Sequence, residues 1–348
     1  MLKKILTINE KYSDNIGDQA ISRAMIEFCN FSNDVSVDAV DFSFRQQFVP
    51  ISDAATKGTK LVTLKRFIPA LAKKIIFFMK NINNAKNISR CGYDLAIIGG
   101  GQLLLGRGTF PFSLFLYTFF LHKAGTRIKI VAAGVGKSFS GLERFLIAQS
   151  LKRVEAIYLR DIKSIDNLKN NFNKHSGLIP DIAYFLYNET KISKLGNKII
   201  ICPTEYSVYK RYEDEVGHKN LSFDDYKNTW LKIIRNNIDK YDEIVLSATT
   251  NNDYKFCESL INYLSKLELA KVKLKKTNSV DDFISLAEES SEIISGRMHA
   301  LILCHNLNIK ITPFYISQKI IAYKDEYLDN DAKFINRRIL DMRMEIIR

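Results

Sequence analysis

The sequence has few of the features that mark disulfide-rich, zinc-binding and membrane-spanning proteins. Its five cysteines are scattered through 348 residues and no two of them form a CxxC pair, which argues against a disulfide framework or a zinc site and indicates a reducing compartment. The longest apolar stretch, Phe110 to Leu121, is shorter than the roughly 20 residues that span a bilayer. The first residues lack the apolar core of a signal peptide. We therefore expect a cytoplasmic protein that is not integral to a membrane.

Cofactor and metal motifs are missing as well. The segment "AAGVGKS" has Val131 where a phosphate-binding P-loop needs its first glycine, and "GGGQLL" has Leu104 where the dinucleotide fingerprint needs its third glycine. The histidines show no metal-ligand spacing such as HExxH. We expect neither a metal ion nor a cofactor.

The composition is that of a soluble globular protein with an excess of positive charge. Hydrophobic residues make up 46% of the chain, charged residues 26%, and the net charge is +13. Such an excess favours anionic partners, which include nucleic acids, anionic membrane surfaces and anionic small molecules. The charge alone does not choose among them.

Apolar strands, the first over Lys3 to Asn9, alternate with amphipathic helical segments along most of the chain. One helical segment covers Tyr254 to Lys266, and Ser279 followed three residues later by Asp282 marks the start of another. This pattern predicts an α/β fold with two Rossmann-like domains facing across a cleft. We assign residues 1–192 to an N-terminal domain with glycine-rich loops, and residues 193–316 to a C-terminal domain. Residues 317–348 form a helical tail predicted to pack back on the N-terminal domain. The boundary lies in the polar stretch Glu189 to Asn197.

Two loops in the first half have residues suited to binding. In "DNIGDQA", Asn15, Gly17 and Asp18 follow the first predicted strand, so the backbone can approach a ligand at a helix N-terminus. Asp18 is either a general base for a sugar hydroxyl or the cap of the helix. In "IIGGGQLL", Gly100, Gly101 and Gln102 end a strand, and so many glycines favour a loop that contacts substrate.

Two further loops place arginines where strands end and helices begin. Arg160, before Asp161 in "YLRDIKS", either binds substrate or forms an internal ion pair. In "SGRMHALILC", Ser295 and Gly296 precede Arg297 and His299 at the start of an apolar helix. A cation is unfavourable at that end of a helix, so either an anion binds there or Arg297 pairs with a carboxylate across the domain interface and His299 is packed.

In their order along the chain, "NIGDQAI", "IIGGGQLLL", "RDIKSIDNL", "PDIAY" and "SGRMHALILC" resemble the polysaccharide pyruvyl transferase family. The resemblance covers nearly the whole chain, and "SGRMHA" is its most specific part. It implies a GT-B-like fold and transfer of pyruvate from phosphoenolpyruvate to a sugar, forming a cyclic ketal in a bacterial cell-surface polysaccharide precursor and releasing phosphate. Arg297 and His299 would be the active-site pair.

The predicted roles follow from the charge of phosphoenolpyruvate. Arg297 would hold its phosphate or carboxylate, His299 would act as general acid or anion ligand, and Asp18 would act as base. We assign substrate binding to the remaining residues of the four loops: Asn15, Gly17, Gly100, Gly101, Gln102, Arg160, Ser295 and Gly296. The alternatives are a nucleotide-sugar glycosyltransferase of the same fold and a non-catalytic binding module. The basic residues form no stripe with aromatic residues, which argues against nucleic-acid binding.

The segment Lys60 to Ile82 is typical of a basic amphipathic helix with a possible kink at Pro69. Two interpretations fit: contact with anionic lipid at the inner face of the plasma membrane, or a core-packing helix with a solvated basic side. The resemblance to pyruvyl transferases also implies an acceptor sugar that is linked to a lipid or to a nucleotide.

Overall fold

The fold consists of two α/β units, each built on a parallel sheet. The computed structural model describes residues 2–48, 69–188, 196–216 and 220–348. The first compact unit comprises Met1–Asp14, Ile21–Phe185 and Arg338–Arg348, and the second comprises Asn15–Ala20 and Leu186–Arg337. The predicted α/β class with parallel sheets is confirmed. Most of the predicted linker, and the part of the predicted basic helix before Pro69, lie outside the described residues.

The first unit has a six-stranded parallel sheet in the order β2-β1-β3-β4-β5-β6. Its strands are β1 (Lys3–Asn9), β2 (Val35–Asp41), β3 (Leu95–Gly99), β4 (Arg127–Ala133), β5 (Ala156–Leu159) and β6 (Gly177–Leu178). The residues of β3 are all buried, as expected of a central strand covered on both faces. The strand prediction over Lys3 to Asn9 is confirmed.

The helices described in the first unit connect these strands. They are α1 (Ile16–Cys29, which begins in the second unit), α2 (Ala70–Ser89), α3 (Phe110–Lys123), α4 (Gly141–Leu151) and α5 (Ile162–Phe172). A single apolar core joins α2, α3 and α4 to alternate residues of β1, β3 and β4, including Leu6, Ile98 and Ile130. Helix α2 begins directly after Pro69, which is the N-cap residue, so that proline starts the described helix.

The second unit has a five-stranded parallel sheet in the order β11-β10-β7-β8-β9. Its strands are β7 (Lys198–Cys202), β8 (Glu243–Leu246), β9 (Val272–Leu274), β10 (Glu292–Ser295) and β11 (Lys310–Pro313). The helices are α6 (Tyr206–Val216), α7 (Phe223–Arg235), α8 (Asn251–Ile261), α9 (Lys266–Lys271), α10 (Val280–Glu288), α11 (Met298–His305), α12 (Gln318–Tyr323) and α13 (Ala332–Ile347, which ends in the first unit).

Side-chain caps set the starts of several of these helices. Ser279 accepts from the Asp282 amide at the start of α10, as the sequence predicts. The helix predicted from Tyr254 to Lys266 is observed as α8 only up to Ile261; its predicted end is wrong, because Ser265 and Glu268 form a capping box that starts the separate helix α9.

The predicted binding loops occupy corresponding places in the two sheets. Gly100 and Arg160 follow the carboxyl ends of β3 and β5, and Arg297 follows the carboxyl end of β10. In parallel α/β sheets, ligands bind beyond these ends. Among the described residues, no helix is long and apolar enough to cross a membrane.

Candidate functional site

The turn between β10 and α11 is held by small residues packed against β7. Ser295 is buried, and its Oγ accepts from the Arg297 amide at 3.0 Å and donates to the Cys202 carbonyl at 3.2 Å. A Cβ atom on Gly296 would lie 2.8 Å from Thr204 Oγ1, which is too close for a side chain. Ser295 and Gly296 therefore fix the backbone from which Arg297 projects, and their predicted substrate contact stays a prediction.

Arg297 is held by the carboxylate of Asp253, which is not among the predicted site residues. Its Nε donates to Asp253 Oδ2 at 2.7 Å and its Nη2 donates to Oδ1 at 2.8 Å. Asp253 is fully buried and also accepts from the Glu205 amide at 2.9 Å. Both residues lie in the second unit. Arg297 does pair with a carboxylate, as one interpretation predicts, but the predicted position of that carboxylate across the domain interface is wrong.

This ion pair leaves part of the guanidinium available. Burial acts to lower the pKa of Arg297, but the charge and hydrogen bonds of Asp253 outweigh it and raise the pKa. The side chain remains 24% exposed, and no described residue accepts a hydrogen bond from Nη1. A two-point contact fixes the plane of a guanidinium, so Asp253 holds Arg297 with one edge able to bind an anion.

His299 lies in the first turn of α11 and packs against the start of α1. It is 7% exposed, and a Cβ atom on Gly17 would lie 2.5 Å from its Nδ1 and 2.7 Å from its Cβ. The Ile16 amide donates to the Thr249 carbonyl at 2.8 Å, which ties this segment to the second unit. A glycine is therefore needed at position 17 so that α1 can approach the imidazole.

The start of α1 differs from the prediction at two residues. Gly17 and Asp18 are the second and third residues of the helix and do not lie in the preceding loop. The cap is Asn15, whose Oδ1 accepts from the Gly17 amide at 3.0 Å, so the interpretation of Asp18 as the cap is wrong. Asp18 is partly exposed and groups with Asn15, Gly17, Arg297 and His299 in one compact unit. Its role as a base stays a prediction.

The glycine loop after β3 belongs to the first unit. Gly100 and Gly101 have φ angles of +69° and +70°, a conformation that favours glycine. A Cβ atom on Gly100 would also lie 2.0 Å from Ile21 Cγ2. Backbone geometry and close packing thus account for Gly100, and substrate contact by Gly100, Gly101 and Gln102 stays a prediction.

Arg160 forms the internal ion pair that was one of its two interpretations. It is 2% exposed, and its Nη1 donates to Asp181 Oδ2 at 2.8 Å. Asp161 caps α5 by accepting from the Ser164 amide. A Cβ atom on Gly134 would lie 2.9 Å from Gln102 Cγ and 3.2 Å from Arg160 Nη2, so Gln102 and Arg160 flank the same glycine. Contact of Arg160 with substrate remains a prediction.

Sequence patterns did contain one signal for Asp253. Thr250 accepts from the Asp253 amide at the start of α8, which is the helix-start pattern of a hydroxyl residue followed three positions later by an acid. The pairing with Arg297 requires the strand order, because β7 lies between β10 and β8. That order is not visible in local sequence.

Three solved structures with a similar fold are of proteins named for, or bound to, UDP or UDP-GlcNAc. Staphylococcus aureus MnaA with UDP has a TM-score of 0.56 at 13% identity, covering 98% of this chain and 95% of that one. UDP-GlcNAc 2-epimerase from Methanocaldococcus jannaschii has a TM-score of 0.54 at 10% identity, covering 100% and 93%. The Neisseria meningitidis enzyme bound to UDP-GlcNAc has a TM-score of 0.51 at 12% identity, covering 97% and 94%.

These similarities concern the fold alone, because the identities are low. The proteins have GT-B-type folds, so the GT-B-like prediction is confirmed. No curated protein matches the chain. A model of the family described as polysaccharide pyruvyl transferase matches residues 15–318. Since this match covers most of the sequence, the chain belongs to the polysaccharide pyruvyl transferase family.

Proposed function

We propose that the protein transfers pyruvate from phosphoenolpyruvate to two hydroxyls of one sugar, forming a cyclic ketal and releasing phosphate. The family supports pyruvyl transfer in polysaccharide synthesis. The acceptor is a precursor of a bacterial cell-surface polysaccharide, carried on a lipid or a nucleotide, and the reaction takes place on the cytoplasmic side. The observation that carries the proposal is the Arg297 guanidinium, held by Asp253 beside the buried His299.

The proposed reaction starts with protonation of the methylene carbon of phosphoenolpyruvate. This gives a methyl group and an oxocarbenium-like centre at C2. One sugar hydroxyl forms a bond to C2 and loses its proton to a base. The second hydroxyl then takes the place of phosphate at C2, its proton balances the charge of the departing phosphate, and the ketal closes.

Arg297 would bind the phosphate or carboxylate of the donor through the edge that Asp253 leaves available. His299 is the candidate acid, because imidazole is the side chain that most readily transfers protons near neutral pH. Asp18, in the same unit, is the candidate base for the sugar hydroxyl. No step in this sequence requires a metal or a cofactor.

The test is incubation of the protein with phosphoenolpyruvate and a panel of lipid-linked and nucleotide-linked sugars. We expect release of phosphate and a product heavier than the acceptor by pyruvic acid less one water. Arg297→Ala and His299→Ala should each lower kcat/KM by about 100-fold or more, with circular dichroism as the check on folding.

Two results would overturn the proposal. Normal turnover by folded Arg297→Ala and His299→Ala proteins would show that neither residue has the assigned catalytic role. Release of nucleotide from a sugar nucleotide, with no phosphate released from phosphoenolpyruvate, would make the protein a glycosyltransferase of the same fold.

A further inference from the structure

We propose that helices α2, α3 and α4 of the first unit form a docking surface for an anionic lipid bilayer. We call it the three-helix surface. Its apolar members are large side chains that expose between 37% and 64% of their area: Ile75, Ile76, Met79, Phe119, Leu142 and Phe145. Most exposed apolar residues of soluble proteins occur singly, whereas clusters mark contact sites.

Contacts between the helices show that the segments carrying these side chains pack side by side. Lys74 of α2 lies 3.0 Å from Glu143 of α4, which brings together the turns that carry Ile75 and Leu142. Phe78 of α2 lies 6.3 Å from Phe115 of α3, measured between ring centroids. Phe115 in turn lies 5.9 Å from the exposed Phe119, so Phe119 lies next to the contact between α2 and α3. Ile75, Ile76 and Met79 share the exposed side of α2, because they recur at spacings of three and four residues.

Helix α4 joins this surface on the other side of α3. The Arg153 guanidinium, just after α4, lies 5.1 Å from the Phe115 ring centroid and 5.4 Å from that of Phe119. Leu142 and Phe145 are three residues apart, so they share one exposed side of α4.

The charges of the three-helix surface are almost all positive. Helices α2 and α3 contain no acidic residue, and the one acid of α4, Glu143, is buried and paired with Lys74. The cations on or directly after these helices are Lys73, Lys74, Lys80, Lys86, Arg90, Lys123, Arg144, Lys152 and Arg153. Apolar and aromatic side chains among cations are typical of segments that lie in the interface of anionic membranes.

The same charge pattern argues against a second copy of this chain as the occupant. A two-fold interface pairs a surface with itself, so lysines and arginines of one copy would meet those of the other. An anionic bilayer instead offers negative head groups to the cations and an apolar interior to the side chains between them. The surface is defined independently of the proposed reaction.

The experiment is flotation of the full chain with phosphatidylcholine vesicles, with and without phosphatidylglycerol. We expect binding to the anionic vesicles that weakens with salt. The double variant Met79→Ser/Phe145→Ser should bind about tenfold or more weakly. Lys73→Glu/Lys80→Glu should weaken binding by about fivefold for each cation removed. All four side chains are exposed, so the variants should fold normally.

Matched controls change exposed residues of the second unit. Leu267→Ser removes an apolar side chain that is 87% exposed, and Lys255→Glu reverses an exposed cation; both should bind as the unchanged protein does. Phosphate release with a water-soluble acceptor should be the same in all variants, so failure of the docking proposal and failure of the proposed reaction are distinguishable.

Three outcomes would overturn the docking proposal. The first is no flotation with anionic vesicles, and the second is flotation that the Met79 and Phe145 changes leave intact. The third is concentration-dependent dimerisation that these changes abolish, since a second copy would then cover the surface.

Discussion

At the scale of single residues, Arg297 places a cation at a helix N-terminus, where the helix dipole disfavours positive charge. The fully buried carboxylate of Asp253 compensates this charge by contacting two nitrogens of the guanidinium. An ion pair alone does not exclude a binding role, because Nη1 has no described acceptor and the side chain is partly exposed. Asp253 is thus a candidate positioning residue that acts through Arg297.

Asp253→Asn tests this role. The amide group would present a donor to a guanidinium that needs acceptors, so we expect Arg297 to turn away and the KM for phosphoenolpyruvate to rise by about tenfold or more. Breaking a buried pair also costs about 3–5 kcal/mol of folding free energy, so the measurement is made at a temperature where circular dichroism shows the variant folded.

Asp282→Asn is the matched control for Asp253→Asn. Asp282 is likewise the third residue of a helix whose hydroxyl cap accepts from its amide, but it is exposed. We expect an unchanged KM for this variant. A folded Asp253→Asn protein with the KM of the unchanged protein would mean that Asp253 has a structural role alone.

At the scale of secondary-structure elements, the contact between the start of α1 and the start of α11 depends on Gly17. Gly17→Ala adds a methyl group that would lie 2.5 Å from His299 Nδ1. We expect a loss of about 1–3 kcal/mol in the free energy of unfolding and slower turnover, because the imidazole must shift. Urea denaturation and steady-state kinetics measure the two effects.

Gly141→Ala is the control for this contact. Gly141 is also in the first turn of a helix, and a Cβ atom there would meet nothing within 4 Å. Alanine is favoured over glycine in helices by up to about 1 kcal/mol, so we expect equal or greater stability. If Gly17→Ala behaved in the same way and kept full turnover, the close packing against His299 would have no functional importance.

How far the sequence predicts these elements depends on the range of the interaction. Strand β1 and the Ser279 cap follow from local pattern and are observed as predicted. The start of α1 was misplaced because Asn15 and Asp18 are both residues that cap helices, and local sequence does not choose between them. The contact of Asp253 with Arg297 and that of Gly17 with His299 depend on strand order and on packing between distant segments, which leave no local signal.

At the scale of the whole molecule, the two ends of the chain meet in the first unit. Lys129, which is buried, donates to the Ile346 carbonyl at 2.8 Å, and Lys3 donates to the Ile347 carbonyl at 2.5 Å. Both ammonium groups donate to carbonyls at the end of α13 that have no hydrogen-bond partner within the helix. Their positive charge also interacts favourably with the negative end of the helix dipole. The last helix is thereby fixed to strands from the first half of the sequence.

Arg343 of α13 provides the complementary contact, at the end of α1. Its Nε donates to the Phe28 carbonyl at 2.7 Å and its Nη2 donates to the Glu27 carbonyl at 3.0 Å. The guanidinium lies 5.8 Å from the ring centroid of Phe28, 5.5 Å from that of Phe31 and 5.3 Å from that of Phe185. One side chain therefore caps the first helix and fills an aromatic cluster.

Arg343→Ala should lower the free energy of unfolding by about 2–3 kcal/mol, since two helix carbonyls lose their donors and three rings lose a stacked cation. Arg343→Lys keeps the charge but not the planar pair of donors, so we expect roughly half of that loss. Urea denaturation followed by circular dichroism measures both. Arg337→Ala, which removes an exposed cation of the same helix, should change stability by less than about 0.5 kcal/mol. Equal effects of the Arg343→Ala and Arg337→Ala changes would mean that net charge, and not the contact with α1, determines how α13 contributes to stability.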